Sequence, residues 1–178
     1  MSKIILVPLQ FDRLALLKSI QSEVTKITQL PSSIENHDLN IDIFFDSQRG
    51  QYDALRMIQA LEGEKTFLSI LLTNVDLFIP IFTFVFGLAK LNGNIGIVST
   101  YRLENKFYGL PDNNSLLKER VLKEIIHEYG HLAGLRHCSQ FNCVMASSTS
   151  ADEIDIKLQY FCDACQIKSK INIAAKGV

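Results

Sequence analysis

The sequence predicts a mixed α/β fold in which helices pack on a twisted, mostly parallel β-sheet with one antiparallel edge strand. Apolar, β-branched runs alternate with helical apolar spacing in the first half of the chain. The turn pair Asn92-Gly93 then joins two strand-like runs directly, which makes the sheet mixed. With 178 residues, of which 47% are hydrophobic, the chain is long enough for one well-packed domain.

The first half of the chain supplies the parallel part of the sheet. The predicted strands are residues 3–9, 41–46 and 67–72. The predicted helices are residues 11–27 and 52–61. Asp12 is suited to cap the first helix, and the polar residues 31–40 predict a loop in which His37 is exposed and binds no metal. Alternation of this kind gives parallel strands joined by right-handed crossovers.

Residues 82–89 and 94–100 form the predicted hairpin, and we assign the edge of the sheet to residues 82–89. An open strand edge offers backbone donors and acceptors at regular spacing, so it can hold an extended peptide of many sequences. An ordinary core strand is the alternative interpretation of residues 82–89. Residues 101–112, with Gly109 and Pro111, predict a loop.

A long helix is predicted to begin at Asn114 or Ser115, because either residue can cap it. Its apolar stripe consists of Leu116, Leu117, Val121, Leu122, Ile125, Ile126, Tyr129 and Leu132. After this helix the sequence contains no further strand-like runs. Residues 151–160 predict a final short helix, and residues 167–178 are a basic tail without a clear pattern.

The strongest chemical signal is a group of histidines on that long helix. His127 and His131 are four residues apart, so on a helix they lie one turn apart on the same face and can bind one zinc ion. Glu128 is rotated by about 100° from His127 and can reach a metal-bound water without being a ligand. Gly134 can end the helix in a left-handed turn that brings His137 back towards the other two histidines. Three histidine ligands would leave the fourth coordination position of the zinc ion open to water. The alternative is that these are ordinary surface or core histidines.

The four cysteines follow in two close pairs, Cys138 with Cys143 and Cys162 with Cys165. Four thiolates spaced in this way suit a tetrahedral structural zinc without an open position. Two disulfides, or a redox-active Cys-x-x-Cys, are the alternatives. Because Cys138 follows His137 directly, two metal sites here would share one short segment.

These motifs together resemble the archaemetzincin family of zinc peptidases. The resemblance is carried by the run His127-Glu128-x-x-His131-x-x-Gly134-x-x-His137-Cys138-x4-Cys143-x-Met145, followed by Cys162-x-x-Cys165. It implies a metzincin-like fold, a catalytic zinc on the three histidines, a structural zinc on the four cysteines, and Glu128 as general base. It also implies that Met145 is the Met-turn residue under the active site, whereas the residues alone make Met145 an ordinary core side chain. The sixteen residues between Met145 and Cys162 are one fewer than in the family pattern.

Charge and hydropathy exclude several other classes of function. A net charge of −1 argues against a nucleic-acid binder that works by bulk electrostatics. The longest apolar run, residues 77–89, is interrupted by Pro80 and is too short for a membrane span. The N-terminal residues lack a signal-peptide pattern and leave no room for a propeptide before the first strand, so we expect reduced thiols and a cytoplasmic protein.

The sequence therefore predicts a zinc-dependent metallopeptidase with two zinc ions, acting as a monomer on extended peptides. We expect one catalytic domain over residues 1–178, divided into subdomains at 1–134 and 135–178. A catalytically silent, zinc-stabilised peptide-binding module is the main alternative, and a zinc hydrolase with a non-peptide substrate is another.

Overall fold

The structure is a computed structural model that describes residues 3–62 and 67–175. In chain order its helices and strands are β1 (Ile4–Pro8), α1 (Leu14–Thr28), β2 (Ser32–Ile34), β3 (Phe45–Asp46), β4 (Gln51–Asp53), α2 (Ala54–Ala60), β5 (Leu68–Thr73), β6 (Leu77–Ile79), β7 (Phe82–Val85), β8 (Gly87–Ala89), β9 (Ile95–Ser99), α3 (Asn114–Leu132), α4 (Ala151–Ile156) and α5 (Asp163–Ala175). The mixed α/β class predicted from the sequence is confirmed.

The main sheet has the strand order β2-β1-β5-β9-β8. The first four strands are parallel, and β8 runs antiparallel to β9 with Gly87 opposite Val98 and Ala89 opposite Gly96. Among the residues that the structure describes, β8 has no strand hydrogen-bonded to its other side. The predicted antiparallel edge therefore exists, and it is three residues long.

A second, four-stranded sheet of order β3-β4-β6-β7 was not predicted. It divides the run that we assigned to the edge, because β7 pairs with β6 while β8 pairs with β9. Between the two strands lies Phe86, whose side chain is buried and whose carbonyl accepts a 2.8 Å hydrogen bond from the Ser99 amide. The chain changes sheets at this residue, so the assignment of residues 82–85 to the edge of the main sheet was wrong.

Both faces of the main sheet are buried, which explains why its strands appear in the sequence as continuous apolar runs. Successive side chains of a strand point to opposite faces. On β1, Ile4 and Leu6 pack with α1 and α3, whereas Ile5 and Val7 pack with α2 on the opposite face. The long helix α3 is thus held between the sheet, α1 and α4.

Several local predictions differ from the structure for identifiable reasons. Residues 41–44 form a 3-10 helix instead of a strand, because the Asn40 side chain caps it by accepting from the Asp42 amide at 3.0 Å. Asp12 does not cap α1, because the helix begins at Leu14 and its N-cap residue is Arg13, which makes no side-chain capping bond. The predicted loop of residues 31–40 contributes β2. His37 lies in this segment and is half-buried instead of exposed.

The C-terminal helices are also distributed differently from the prediction. The helix predicted over residues 151–160 ends at Ile156, and much of the patternless tail is α5. The buried face of α5 is formed by Cys165, Ser169 and Ile173, four residues apart. A cysteine and a serine on this face hid its helical periodicity.

Candidate metal centre

Helix α3 ends in a turn that redirects the chain at Gly134. The Asn113 side chain caps its start by accepting from the Leu116 amide at 3.0 Å. At its other end Gly134 has a φ of +81°, a left-handed conformation that favours glycine. The Gly134 amide donates to the His131 carbonyl at 2.9 Å, and the Leu135 amide donates to the Gly130 carbonyl at 2.8 Å. These paired bonds form the Schellman motif, which turns the following residues back towards the helix.

That turn brings the third predicted histidine beside the other two. The ring centroids of His127 and His131 are 4.7 Å apart, and those of His131 and His137 are 5.1 Å apart. One nitrogen from each of the three rings lies within 4.8 Å of the others. His127 is buried at the base of the group, whereas His137 is exposed at its rim. The structure therefore assembles the three imidazoles that the spacing predicted.

Backbone carbonyls fix the protons on two of these rings. Nδ1 of His127 donates to the Val144 carbonyl, and Nδ1 of His131 donates to the Leu135 carbonyl, each at 2.8 Å. A carbonyl oxygen only accepts, so both Nδ1 atoms carry protons and both Nε2 atoms present lone pairs in the neutral rings. Burial is the main effect that lowers the pKa of His127 well below its usual value, and it also lowers the pKa of His131.

The two Nε2 atoms lie 3.1 Å from each other. Two lone pairs at this separation repel unless a cation lies between them. Tetrahedral zinc with ligands at about 2.0–2.1 Å would separate two nitrogens by about 3.3 Å. The donor set and its geometry therefore fit a zinc ion.

Glu128, the residue after His127 on α3, has a buried carboxylate oxygen without a hydrogen-bond partner among the described residues. The side chain is 3% exposed, and its Oε2 atom has no hydrogen-bond partner among the described residues. Burial, reinforced by the neighbouring Glu124 carboxylate, raises the pKa of Glu128 well above its usual value, while Lys157 acts in the opposite direction. A buried carboxylate with a free acceptor can receive a proton from a water bound nearby.

The four cysteines also converge. Their sulfur atoms lie within 4.8 Å of one another, and all four are free thiols. The sulfurs of Cys138 and Cys162 are 3.9 Å apart, close to the roughly 3.8 Å expected for two thiolates on one tetrahedral zinc. The Cys162 amide donates to the Cys143 sulfur at 3.4 Å. This cluster could hold a metal ion, and it is not built as a pair of disulfides.

The chain matches the model of peptidase family M54 over residues 12–171. It belongs to peptidase family M54. The archaemetzincin of Pyrococcus horikoshii is 41% identical over 138 residues, which cover 75% of this chain and 73% of that protein. The archaemetzincin of Methanocaldococcus jannaschii is 40% identical over 129 residues, which cover 71% of each.

Solved structures of similar proteins have the same fold. The archaemetzincin of Methanopyrus kandleri superimposes with a TM-score of 0.84 at 32% identity, covering 97% of this chain and 96% of that one. A zinc-dependent peptidase from Methanocorpusculum labreanum gives a TM-score of 0.85 at 31% identity, covering 93% and 99%. The predicted family and the predicted class of enzyme, a zinc metallopeptidase, are confirmed. None of the M54 chain's described helices is long and apolar enough to cross a bilayer.

Sequence reasoning missed a set of buried charges on the same helix of this M54 chain. Arg120 donates to both oxygens of Asp155 at 2.8 and 2.6 Å, and Lys123 donates to the Ile154 and Asp155 carbonyls at 3.1 and 3.0 Å. Lys157 lies 3.9 Å from Glu124, and both side chains are almost fully buried. These contacts join α3 to α4. The one available signal was that apolar residues flank Lys123 and Glu124 on both sides, which indicates a helix that is buried all round.

Proposed function

We propose that this M54 chain hydrolyses peptide bonds at a zinc ion held by His127, His131 and His137. The observation that carries the proposal is the pair of Nδ1-to-carbonyl hydrogen bonds, which point two Nε2 lone pairs at one place. His137 completes the set from the far side of the Gly134 turn, within reach of the same ion. With three protein ligands, the ion would keep a coordination position for water, as in catalytic zinc sites.

Glu128 is the general base in this proposal. When bound, zinc supplies a Lewis acid that polarises the carbonyl of the substrate and makes a water more acidic. The Glu128 carboxylate takes the proton from the attacking water and then gives it to the leaving amine. Its free Oε2 atom supports this role, because the described protein offers it no competing hydrogen bond.

A second zinc ion on Cys138, Cys143, Cys162 and Cys165 would act as a structural staple. Four thiolates leave no position for substrate or water. The Gln140 amide donates to the Cys138 sulfur and the Cys162 amide donates to the Cys143 sulfur, each at 3.4 Å. Such bonds stabilise thiolates. Free thiols of this kind are maintained in a reducing compartment such as the cytoplasm.

The two metal sites would support each other through a short segment. Val144, whose carbonyl orients His127, follows Cys143 directly. The Cys138 amide donates to the Met145 carbonyl at 2.9 Å, which anchors the residue after His137. We propose residues 1–178 as one catalytic domain, divided after Gly134 into a sheet-bearing part and a zinc-stapled part. Packing of Val144, Ile154 and Cys165 into the same core as α3 supports the single domain.

The substrate is proposed to bind as an extended strand along β8. This three-residue strand presents the open edge of the main sheet, and Gly87 at its start lies against Glu128. Pairing with the backbone of β8 would accept peptides of many sequences and place them beside the base.

Glu128→Gln tests the mechanism. The amide keeps the size of the side chain but cannot take a proton, so turnover of a mixed peptide library should fall below detection while both zinc ions stay bound. Glu119→Gln is a matched control, because Glu119 is exposed on the same helix. Native-like turnover by Glu128→Gln would refute the assignment of the base. A native, zinc-loaded protein that binds peptides without cleaving them would favour the silent binding module.

A further inference from the structure

We propose that Gly87 is a positioning residue for the reaction, one that holds the Glu128 carboxylate in place because it has no side chain. The inference rests on the proposed role of Glu128 and adds a second residue, on a different element, to that role. It concerns the point at which the edge strand β8 and the ligand helix α3 touch.

The contact is unusually close for a strand and a helix. A Cβ atom added to Gly87 would lie 2.5 Å from Oε1 and 2.9 Å from Cγ of Glu128. Real Cβ atoms essentially never approach other atoms within 3.0 Å, so one of the two groups would have to move. The added atom would also lie 2.9 Å from the Ile97 carbonyl of the paired strand β9, which prevents β8 from simply retreating.

The direction of the missing side chain follows from strand alternation. Leu88 packs into the core on the α2 face of the sheet, and Ala89 packs into the core on the α3 face. Gly87 and Ala89 are two residues apart and so share the α3 face. A side chain at position 87 would therefore point at Glu128.

Two other buried charges lie near Glu128. Glu124, one helical turn earlier, carries a second buried carboxylate, and Lys157 lies beside it at 3.9 Å. A carboxylate displaced by a side chain at position 87 could not move towards Glu124 without bringing two negative charges together. Any displacement therefore takes the carboxylate out of the position in which we propose that it acts as the base.

Gly87 therefore sets the separation between the base and the edge that would hold the substrate. If a peptide pairs with β8, its carbonyl lies at a fixed distance from the β8 backbone, and Glu128 lies in contact with the same backbone. Misplacing a catalytic group by about 1 Å can lower a rate by about 100-fold.

Gly87→Ala is the first test, measured on the full-length, zinc-loaded protein with a cleaved peptide. We expect kcat to fall by about 100-fold, with KM within about twofold of the native value and two zinc ions per chain. Gly109→Ala is the control: it also replaces a glycine, its added methyl group meets nothing within 4 Å, and kcat should not change. Native kcat in Gly87→Ala, or a loss of rate that merely follows a loss of zinc, would overturn the proposal.

A crystal structure of zinc-loaded Gly87→Ala separates this inference from the proposed function. The inference predicts that the Glu128 carboxylate is displaced relative to the native protein while the three imidazoles keep their places. The position of the Glu128 carboxylate can be compared even if the native protein cleaves no peptide. In that case the proposed function fails, while the contact between Gly87 and Glu128 is still tested by the crystal structure. An unmoved Glu128 carboxylate beside the new methyl group would contradict the inference.

Discussion

The sulfur of Met145 lies directly against the backbone of Gly130, one residue before the second histidine of the ligand helix. A Cβ atom at Gly130 would lie 2.2 Å from the Met145 sulfur and 3.1 Å from a ring carbon of Phe161. Met145 is fully buried, so the contact forms a solid apolar layer beneath the segment that carries His127 and His131. This geometry supports, as a proposal, the Met-turn role that the family resemblance implied for Met145.

Gly130→Ala should destabilise the protein, although alanine favours helices more than glycine by about 1 kcal/mol. We expect overpacking against Met145 to lower the free energy of unfolding by about 2 kcal/mol, measured by urea denaturation. Met145→Ala should cost about 2–5 kcal/mol through the cavity that it leaves. The double variant should cost clearly less than the sum, because the smaller side chain makes room for the methyl group. Additive effects would show that the two residues do not press on each other.

Gly134→Ala should remove the catalytic metal. The substitution forces an alanine to a φ of +81° and places its Cβ atom 2.2 Å from the Asn92 side-chain oxygen, so the turn that returns His137 must open. We expect one zinc equivalent fewer by metal analysis. Gly109→Ala is matched for backbone strain, with a φ of +71° but open space around the new atom, and should keep both ions. Full zinc content in Gly134→Ala would count against the role of the turn.

Cys162→Ser should release the structural ion and loosen the C-terminal part of the chain. A serine hydroxyl is a poor replacement for a thiolate ligand, so we expect one zinc equivalent fewer and a lower Tm. His127 should be affected indirectly, since Val144 orients it from within the cysteine segment. An unchanged zinc content would contradict the four-cysteine site.

Lys157→Met should leave the buried Glu124 carboxylate without its counter-charge. Breaking a buried pair from one side costs about 3 kcal/mol, and urea denaturation should show a loss of this size. Adding Glu124→Gln should restore much of it, because position 124 then carries no unpaired charge. Lys168→Met is the control for a lost positive charge, since Lys168 is exposed on α5, and its stability should stay close to native. No recovery in the double variant would show that Glu124 is not the partner that matters.

The histidine and cysteine positions could be predicted because spacing on a helix and across a glycine turn is a local property of the chain. The buried charges could not, because Arg120 and Lys123 look like a solvated face until α4 covers them. The switch of sheets at Phe86 was hidden for a similar reason: β7 and β8 are adjacent in sequence, and only their different partners separate them. Gly87 carried no signal at all, since its close contact with Glu128 joins residues 41 positions apart.

Anomalous scattering at the zinc edge, measured on crystals of the native protein grown with zinc, tests the central claim most directly. The account predicts two peaks, one bound by Nε2 of His127, Nε2 of His131 and a ring nitrogen of His137, and one surrounded by four sulfurs. The first peak should have Glu128 beside it but not bound to it. A histidine peak that lacks His137, or one in which Glu128 is itself a ligand, would contradict the proposed catalytic centre.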